Sequence, residues 1–341
     1  MRNEPLISVI IVNWNGKSIL KDCLDAITKV NYIKLEILLV DNASVDGSLE
    51  FVKKNYPSIK VFVNKENLGV GGGFEVGLRK VKGQAVLLLN TDAIIQKNLL
   101  TNLVKVLYSD KKIGAVQPKL VLYPNKNLID SIGCFFLSTG DLYHFGREKN
   151  PNEPPYNKRM EIFSTKGACM LIKTEVLNKI GLFDKDFFAY FEDTDFCIRM
   201  LLAGYNILYD PTETVFHRGG YTSKNIMRSN ILFHSYKNRI NSYLKNFSIK
   251  YLVKVLPLML FLYQIVFFGY ILTGRFQYAL AVQKGIIWNL INLKSILKKR
   301  KYIQKNIRKI SDDEYIPRLT KNVDFMYYWY QFFGGLGKYK D

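Results

Sequence analysis

Three carboxylates lie within four positions of the sequence, at Glu192, Asp193 and Asp195. They directly follow the aromatic run "FFAYF" at 187–191. Negative charges this close repel one another unless a helix N-terminus, a metal ion or a bound proton relieves the repulsion. A carboxylate in such a setting is suited to proton transfer. The cluster is therefore the first candidate for a catalytic site.

The segment "EDTDFCIRMLLAG" at 192–204 predicts the helix that carries these acids. Phe196, Met200 and Ala203 are spaced for one apolar face, and Gly204 is a typical end signal. The acids then lie in the first turn, where the helix dipole stabilises each negative charge by about 0.3 to 1 kcal/mol. Capping of this helix is the structural alternative to catalysis.

Two other residues, Asp92 and His217, could take part in catalysis or metal binding only together with further residues. Asp92 in "LLLNTDA" follows an apolar run, where an isolated acid usually caps a turn. His217 in "VFHRGGYTS" is one of only 3 histidines, and a lone histidine is more often a structural residue than a metal ligand. Neither residue identifies a site by itself.

Two further motifs are suited to a nucleotide. Asp41 in "VDNASVDGS" ends an apolar run, so it could accept hydrogen bonds from a base or ribose, or merely precede a capped helix. The stretch "NKENLGVGGGFEVG" at 64–77 is a glycine-rich entry into a helix, which lets a diphosphate approach backbone N–H groups. It is not a dinucleotide fingerprint, because the third glycine is missing and the stretch follows the third apolar run rather than the first.

Four short apolar runs, at 6–13, 35–41, 59–64 and 84–90, predict buried parallel strands. Segments of helical character separate them, at 17–29, 46–55 and 71–81. This alternation predicts an open, doubly wound α/β sheet whose ligands bind beyond the carboxyl ends of the strands. Those ends carry Asn13, Asp41, Asn64 and Asn90. A further strand is predicted at 167–173.

The composition bounds the class of protein. The chain has 341 residues, 48% of them hydrophobic and 23% charged, which predicts a folded main domain with an appendage. The 4 cysteines form no CxxC pair, so neither a zinc site nor a disulfide framework is expected, and a reducing cytosol is favoured. The start of the sequence does not resemble a signal peptide.

The charge is concentrated in the last third of the chain. From Arg218 onward there are 22 Lys and Arg against 5 Asp and Glu, whereas the first 217 residues have 27 against 24. Two apolar segments lie in the same region, at 255–273, with 19 uncharged residues, and at 276–293. Basic residues beside apolar helices favour an anionic membrane surface over nucleic acid.

A single membrane span would carry a strongly basic tail across the bilayer, against the positive-inside rule. The sequence therefore favours a monotopic helical hairpin on the cytoplasmic face of the cell membrane. The alternative is that these helices form an ordinary core, packed on the catalytic domain or on a second subunit of a homo-oligomer.

Taken in order, the motifs resemble a known family. "SVIIVNWNG", "LLVDNASVDGS", "NLGVGGGFEVGLR", "LLLNTDA", "GACMLIKTEVLNKIGLFD", "FFAYFEDTDFCIR" and "FHRGGYTS" are similar to the inverting family 2 glycosyltransferases, in particular the rhamnosyltransferase-like branch. The resemblance covers about residues 6–240. It implies a GT-A fold, a Rossmann-like, mostly parallel sheet flanked by helices, followed by a membrane-associating α-helical region. The implied catalytic domain is 1–225, with a donor half to about 112 and an acceptor half from 113, and the helical region is 226–341.

The resemblance also implies roles. Asn13 and Asp41 would hold the base and ribose of a nucleotide-sugar, and Asn67 and Gly69 would lie near its sugar or diphosphate. Asp92 matches the metal-binding acid of the family's DxD motif, in which this chain has Asn90 at the first position.

His217 matches a histidine that completes the metal shell in some relatives, with Mg²⁺ or Mn²⁺ as the implied ion. Asp193 matches the general base. Glu192, Asp195 and the aromatic Tyr190 would then contact the acceptor.

The function implied is metal-assisted transfer of a sugar, with inversion, in a single displacement. The donor would be dTDP-rhamnose or a UDP-hexose, and the acceptor a surface glycan or a polyprenyl-linked glycan. A catalytically inactive protein that binds nucleotide-sugars or glycans is the alternative, against which Asp92, Asp193 and His217 together argue. A nucleotidyltransferase is disfavoured, because "NWNGKS" is a weak phosphate loop after the first strand.

Overall fold

The computed structural model describes residues 4–219, 227–331 and 335–341. Its strands are β1 Ile7–Asn13, β2 Leu35–Asp41, β3 Lys60–Val63, β4 Ala85–Asn90, β5 Ala93–Ile95, β6 Ile113–Leu122, β7 Ile129–Ser131, β8 Phe135–Phe136, β9 Leu142–Tyr143, β10 Met160–Glu161, β11 Cys169–Lys173 and β12 Asn206–His217. Its α-helices are α1 Lys17–Thr28, α2 Ser48–Asn55, α3 Gly69–Leu78, α4 Leu99–Leu107, α5 Thr174–Ile180, α6 Glu192–Leu202, α7 Arg228–Asn246, α8 Ile249–Leu272, α9 Phe276–Ile291, α10 Leu293–Tyr302, α11 Asp312–Tyr315 and α12 Phe325–Trp329.

One mixed sheet forms the centre of the molecule, in the order β10-β12-β6-β11-β4-β1-β2-β3. The strands β4, β1, β2 and β3 are parallel, as their apolar runs predict, and begin and end within one residue of the predicted bounds. Next to them β11 is antiparallel to both β4 and β6. The predicted α/β architecture is confirmed.

The long strand β12 lies on the other side of β6 and β11 from the parallel half, but its end pairs with β5, the short strand that follows β4. It runs parallel to β6, with a break in register between Asp210 and Thr214, and its last residues pair antiparallel with the short β5. In that pairing His217 faces Ala93, the residue after Asp92. Sheet register thus brings together two residues that are far apart in the sequence.

Hydrophobic cores cover both faces of the sheet. The face under α1, α2 and α4 is closed by residues such as Leu20, Leu24 and Leu103. The other face continues without a break from Ile10 on β1 into the C-terminal helices. There Phe136 packs edge-on against Phe247, with ring centroids 5.6 Å apart. The predicted domain boundary at 225/226 lies outside the described residues.

Buried charges join α6 to the C-terminal helices. The ammonium of Lys245 on α7 is almost fully buried and pairs with Asp184 and, at 3.2 Å, with Asp195 on α6. Lys299 on α10 pairs with Asp184 at 2.5 Å and with Asp186 at 2.6 Å. Burial alone would raise the pKa of Asp184, but the two ammonium groups outweigh it and hold that pKa well below its usual range.

The outer surface of the C-terminal region is apolar. Within the described ranges, α8 is the one helix that is long and apolar enough to cross a membrane, with a mean hydropathy of 2.1 over its most apolar window and only 17% of that window buried. It packs against α9, which in turn packs against α7. Large hydrophobic side chains of α8 and α9 face outward: Ile249, Val253, Leu258, Phe261, Ile265, Phe268, Ile271, Leu272, Phe276, Leu280, Ile287, Leu290 and Ile291. These helices do not form an ordinary closed core within this chain.

Candidate active site

A cleft of about 390 Å³ opens at the carboxyl ends of the parallel strands. Its lining comes from the ends of β1, β2, β4 and β12 or the residues that follow them, the entry into α3, the segment before β11, and the turn that leads into α6. The first turns of α7 close one side. Of the residues predicted for the site, eight line this cleft: Asn67, Gly69, Asn90, Asp92, Tyr190, Glu192, Asp193 and His217.

Asp92 and His217 form a pair in the wall of the cleft. Nε2 of His217 lies 3.2 Å from Oδ1 of Asp92, and both residues are buried. On its other side, Nδ1 of His217 lies 2.8 Å from Oδ2 of Asp130. Lys166 donates to both oxygens of Asp130, at 2.6 and 2.8 Å. The histidine ring is therefore held between two carboxylates.

Burial and neighbouring charges shift the pKa values of both Asp130 and His217. Burial would raise the pKa of Asp130, but Lys166 and His217 outweigh it and hold that pKa well below its usual range. Asp130 is then an acceptor, so Nδ1–H of His217 donates to it. Burial acts to lower the pKa of His217, but the hydrogen bonds to Asp130 and Asp92 prevail and the pKa is raised.

These residues fit a divalent metal ion in part. A histidine whose Nδ1–H is held by a carboxylate presents Nε2 as a ligand, which is the usual second-shell arrangement of metal-binding histidines. Nε2 of His217 points at the Asp92 carboxylate, so the two could bind one ion together. Among the described residues, in this cleft and elsewhere, no group of three or more His, Cys, Asp or Glu side chains is arranged to hold a metal ion. The remaining ligands would have to come from substrate and water.

The turn before α6 is strained and closely packed. Tyr190 and Phe191 both have positive φ, at 66° and 68°, a conformation that non-glycine residues rarely adopt. Asn238 of α7 holds this turn by donating to the carbonyls of Ala189, at 2.9 Å, and Tyr190, at 2.6 Å. Such strain persists only where the surroundings enforce it. The strain and its support place the first residues of α6 in the cleft.

Gly69 allows the entry into α3 to touch the turn that leads into α6. Its φ is +74°, and a Cβ at this position would lie 2.1 Å from the carbonyl oxygen of Phe188. The next residue, Val70, donates its backbone N–H to that same oxygen at 2.8 Å. No side chain fits here, which explains why the glycine-rich stretch begins at this residue.

Asp193 is held in place by backbone donors. Its Oδ2 accepts from the N–H of Gly167 at 2.8 Å, and its Oδ1 accepts from the N–H of Thr194 at 2.7 Å. Burial raises the pKa of Asp193 in spite of these hydrogen bonds. The result is a rigid carboxylate in the cleft with an increased affinity for a proton.

Its neighbour Glu192 has a different environment. Burial, reinforced by the charge of Asp193, raises the pKa of Glu192 to about 8. Oε2 of Glu192 is buried and has no hydrogen-bond partner among the described residues. Two adjacent carboxyl groups thus share the cleft, and burial raises the pKa of both.

Asp195, which was expected to contact the acceptor, is not brought into the cleft. Its Oδ1 accepts from Nδ2 of Asn246 at 2.8 Å and its Oδ2 from Nε of Arg199 at 3.2 Å. Lys245 lies 3.2 Å from Oδ1. Asp195 is fully buried, and its carboxylate joins α6 to α7.

Asn13 and Asp41 lie behind the cleft rather than in its lining. Both are fully buried, and Nδ2 of Asn13 donates to Oδ2 of Asp41 at 2.8 Å. Oδ1 of Asp41 accepts from the N–H of Ser44 at 2.9 Å. Oδ1 of Asn13 has no partner among the described residues. Asn42, the next residue after β2, does line the cleft.

Four other lining or supporting residues were missed by sequence reasoning. Asp130 and Lys166 support His217, and both Trp14, after β1, and His234 of α7 line the cleft. The ring of His234 stacks on Phe188 with centroids 5.5 Å apart. Burial, with a contribution from Lys237, lowers the pKa of His234 to about 4, so this ring is neutral. Only Trp14, in "NWNG" at a strand end, carried a local signal.

Comparison with known proteins agrees with this geometry. The model of the family described as "Glycosyltransferase like family 2" matches residues 4–231. The chain belongs to glycosyltransferase family 2. This glycosyltransferase has 26% identity with an uncharacterized glycosyltransferase of Haemophilus influenzae, over 70% of its own length and 77% of the other.

A second relative of the glycosyltransferase has a more specific name. The N-acetylglucosaminyl-diphospho-decaprenol L-rhamnosyltransferase of Mycobacterium tuberculosis is 22% identical, over 67% of this chain and 81% of that protein. Among solved structures, GalNAc-T7 with UDP, GalNAc and Mn²⁺ is similar with a TM-score of 0.58 and 19% identity. That match covers 74% of this chain and 49% of the other, about half its length. The fold is GT-A.

The carboxyl pair predicts a pH dependence of stability. The pKa of Glu192 is raised from 4.5 to about 8, so the folded state keeps a proton that the unfolded state releases. Stability should therefore fall as pH rises through this window, by at most about 1.4 kcal/mol per pH unit. In Glu192→Gln this loss should largely disappear, so the variant gains on the wild type as pH rises.

Chemical denaturation at several pH values between about 5 and 8 measures this slope. The matched control is Glu175→Gln, an exposed glutamate in the first turn of α5. Equal slopes for the wild type and Glu192→Gln would contradict the assignment.

Proposed function

We propose that this glycosyltransferase moves a sugar from a nucleotide-sugar to a lipid-linked or surface-glycan acceptor, with inversion and in one displacement. The observation that carries the proposal is that Asp193, fixed by two backbone N–H groups, lines the same cleft as the Asp92–His217 pair. A single in-line displacement needs these two elements, a proton acceptor for the attacking hydroxyl and a group that stabilises the leaving diphosphate.

The donor would occupy the side of the cleft formed by β1, β2 and the entry into α3. Asn67 and Gly69 lie there, next to the backbone N–H groups at the start of a helix, which attract a diphosphate. Asn90 lies at the end of β4, beside Asp92. Asp41 and Asn13 would meet the base and ribose after a small rearrangement, for which the unpaired Oδ1 of Asn13 offers an acceptor.

Asp92 and His217 would hold a divalent metal ion, Mg²⁺ or Mn²⁺, together with the donor diphosphate. When bound, such an ion supplies Lewis-acid stabilisation of the negative charge that develops on the leaving group. Asp130 keeps the ring of His217 oriented, and Lys166 keeps Asp130 ionised. With Asn90 in place of a second acid, this chain contributes one carboxylate ligand rather than two.

On the acceptor side, Asp193 would take the proton of the acceptor hydroxyl. Its raised pKa increases its proton affinity while leaving it able to ionise, as a general base requires. Glu192, in its protonated form, would donate a hydrogen bond to another acceptor oxygen. Tyr190 and the Phe188–His234 stack would form an aromatic wall against a sugar ring.

The donor sugar would be rhamnose or a hexose. The name of the mycobacterial relative supports rhamnose and a decaprenol-linked acceptor, and the UDP in GalNAc-T7 supports a uridine nucleotide. A lipid-linked acceptor agrees with the apolar outer faces of α8 and α9. We infer that these faces enter one leaflet at the cytoplasmic side of the cell membrane, while the surrounding lysines bind anionic head groups.

A test of the donor site is thermal-shift measurement against nucleoside diphosphates and nucleotide-sugars, including UDP, dTDP-rhamnose and UDP-hexoses, with Mg²⁺ or Mn²⁺. At least one should stabilise the protein, by mass action, and a chelator should reverse the effect. Asp92→Ala should weaken this metal-dependent stabilisation strongly and His217→Ala less so.

The control for that test is Asp25→Ala on α1, an acid outside the cleft that pairs with Lys21. It should behave as the wild type. Donor binding that is unchanged in Asp92→Ala and insensitive to chelator would refute the metal site.

For the base, we predict that Asp193→Asn keeps nucleotide affinity while turnover falls by about 10² to 10⁴. The reason is that the amide has nearly the same shape but cannot accept the proton. Asp195→Asn is the matched control: it should mainly lower stability, because Lys245 and Arg199 lose a buried partner. Loss of transfer in a folded Asp195→Asn, with near wild-type transfer in Asp193→Asn, would reverse the assignment.

The membrane surface is tested by co-sedimentation with vesicles. We expect binding to vesicles that contain phosphatidylglycerol, weaker binding to pure phosphatidylcholine, and a decrease with added salt. Phe268 lies on the exposed face of α8. Phe268→Asp should reduce vesicle binding about tenfold or more, because it removes a large aromatic group that would be buried in the membrane. Ile33→Asp, at a residue that is 93% exposed and distant in sequence from the hairpin, is the control.

The same variants distinguish the alternative of a homo-oligomer. If Phe268→Asp changes the oligomeric state seen by light scattering and leaves vesicle binding intact, the apolar faces bind another subunit and the membrane proposal fails.

A further inference from the structure

A second cavity, of about 470 Å³, lies between the start of α7 and the face of α9. It is distinct from the active cleft, and it has no role in the proposed sugar transfer. The residues that line this groove are Met227, Ser229, Asn230 and Phe233 on the α7 side, and Gln277, Leu280, Ala281 and Lys284 on the α9 side.

The groove adjoins the active cleft. Asn230 lines both cavities, and the next residues of α7, Ile231 and His234, face the cleft. Ser229 and Phe233 face the groove. The first two turns of α7 are thus a wall shared by the two cavities, and a ligand that extends past Asn230 would occupy both.

At its other end the groove meets the apolar surface. Leu280, which lines the groove, is 53% exposed and belongs to a stripe on α9 with Phe276 and Ile287. This stripe is part of the surface that we expect to enter the membrane. The groove therefore lies between the lipid-facing surface of the hairpin and the cleft that Asp193 lines.

One cation interrupts an otherwise apolar and neutral lining. Lys284 is exposed in the groove, and its ammonium forms no hydrogen bond or ion pair with any of the described residues. Ser229, Asn230 and Gln277 add neutral hydrogen-bond donors nearby. A single cation with polar donors, beside aliphatic and aromatic side chains, matches a phosphate attached to a hydrocarbon chain.

From this position beside the cleft and from the charge of Lys284, we infer that the groove binds the phosphate and the adjoining hydrocarbon of a lipid-phosphate-linked acceptor. Lys284 would contact the phosphate, Phe233 and Leu280 would contact the first part of the chain, and the attached glycan would reach the cleft past Asn230. The inference rests on the proposed function, since it assigns a place to the lipid part of that acceptor. A bulk phospholipid does not explain why the groove lies directly beside the cleft.

The test uses farnesyl diphosphate, a soluble lipid diphosphate, and the full chain. Binding is measured by isothermal titration calorimetry in the presence of a chelator, so that the diphosphate of the probe cannot bind to the donor site through a metal ion. We expect saturable binding in which Lys284→Gln raises Kd about tenfold, because a charge-assisted hydrogen bond is lost. Gln277→Trp, which places a large ring in the groove from the first turn of α9, should raise Kd at least as much.

The matched control is Lys298→Gln, an exposed lysine on α10 that does not line the groove. It should leave Kd unchanged, and farnesol, which lacks the diphosphate, should bind the wild type much more weakly. An unchanged Kd in both Lys284→Gln and Gln277→Trp would overturn the inference. An equal loss in Lys298→Gln would also overturn it, since binding would then reflect charge alone.

Stabilisation by nucleotide and Mn²⁺ is measured separately, on the same protein variants without chelator. If the nucleotide stabilises the wild type while farnesyl diphosphate does not bind, the groove assignment fails and the proposed donor chemistry stands. If neither ligand binds, the proposed function itself fails. Retained nucleotide binding in Lys284→Gln and Gln277→Trp shows that both variants are folded, so a raised Kd in them supports the groove.

Discussion

The burial of one positive charge constrains much of this structure. Lys245 lies almost fully out of solvent, where an unpaired ammonium would be costly by several kcal/mol. It is tolerated because it pairs with both Asp184 and Asp195. In the sequence these two acids lie before and after the strained turn at Tyr190 and Phe191. This turn and helix α6 can therefore take their positions only when α7 is docked. The C-terminal helices thus hold the turn before α6 in position, and they also provide an apolar surface.

The parallel half of the fold could be predicted from sequence because its signal is local. Each of β1 to β4 is a short apolar run that ends in a polar residue, and each helix between them has its own periodicity. The joining of β12 to β5 left no such signal, because a pairing between His217 and Ala93 depends on register across more than a hundred residues. Asp130 was missed for the same reason: it lies in a three-residue strand with no recognisable pattern.

The acidic cluster shows where the sequence could have been interpreted more fully. Successive residues of an α-helix are turned by about 100°, so two residues separated by one position point to nearly opposite sides. Asp193 and Asp195 therefore cannot both face the same cleft once 192–202 is helical. The structure gives one to the cleft and the other to the ion pairs with α7. The resemblance to a family identified the motif, and helix geometry separates the roles within it.

At Gly69 the entry into α3 and the turn that leads into α6 meet backbone against backbone, with the carbonyl of Phe188 where a side chain would otherwise be. The peptide of Val70 is hydrogen-bonded to that carbonyl, and two residues further on the chain enters its left-handed turn at Tyr190 and Phe191. If a nucleotide displaced the start of α3, this contact would pass the displacement to the turn, because no side chain lies between the two backbones to adjust. The two segments would then move together. Under the proposed function, we therefore expect the donor to bind first and to shape the site of the acceptor.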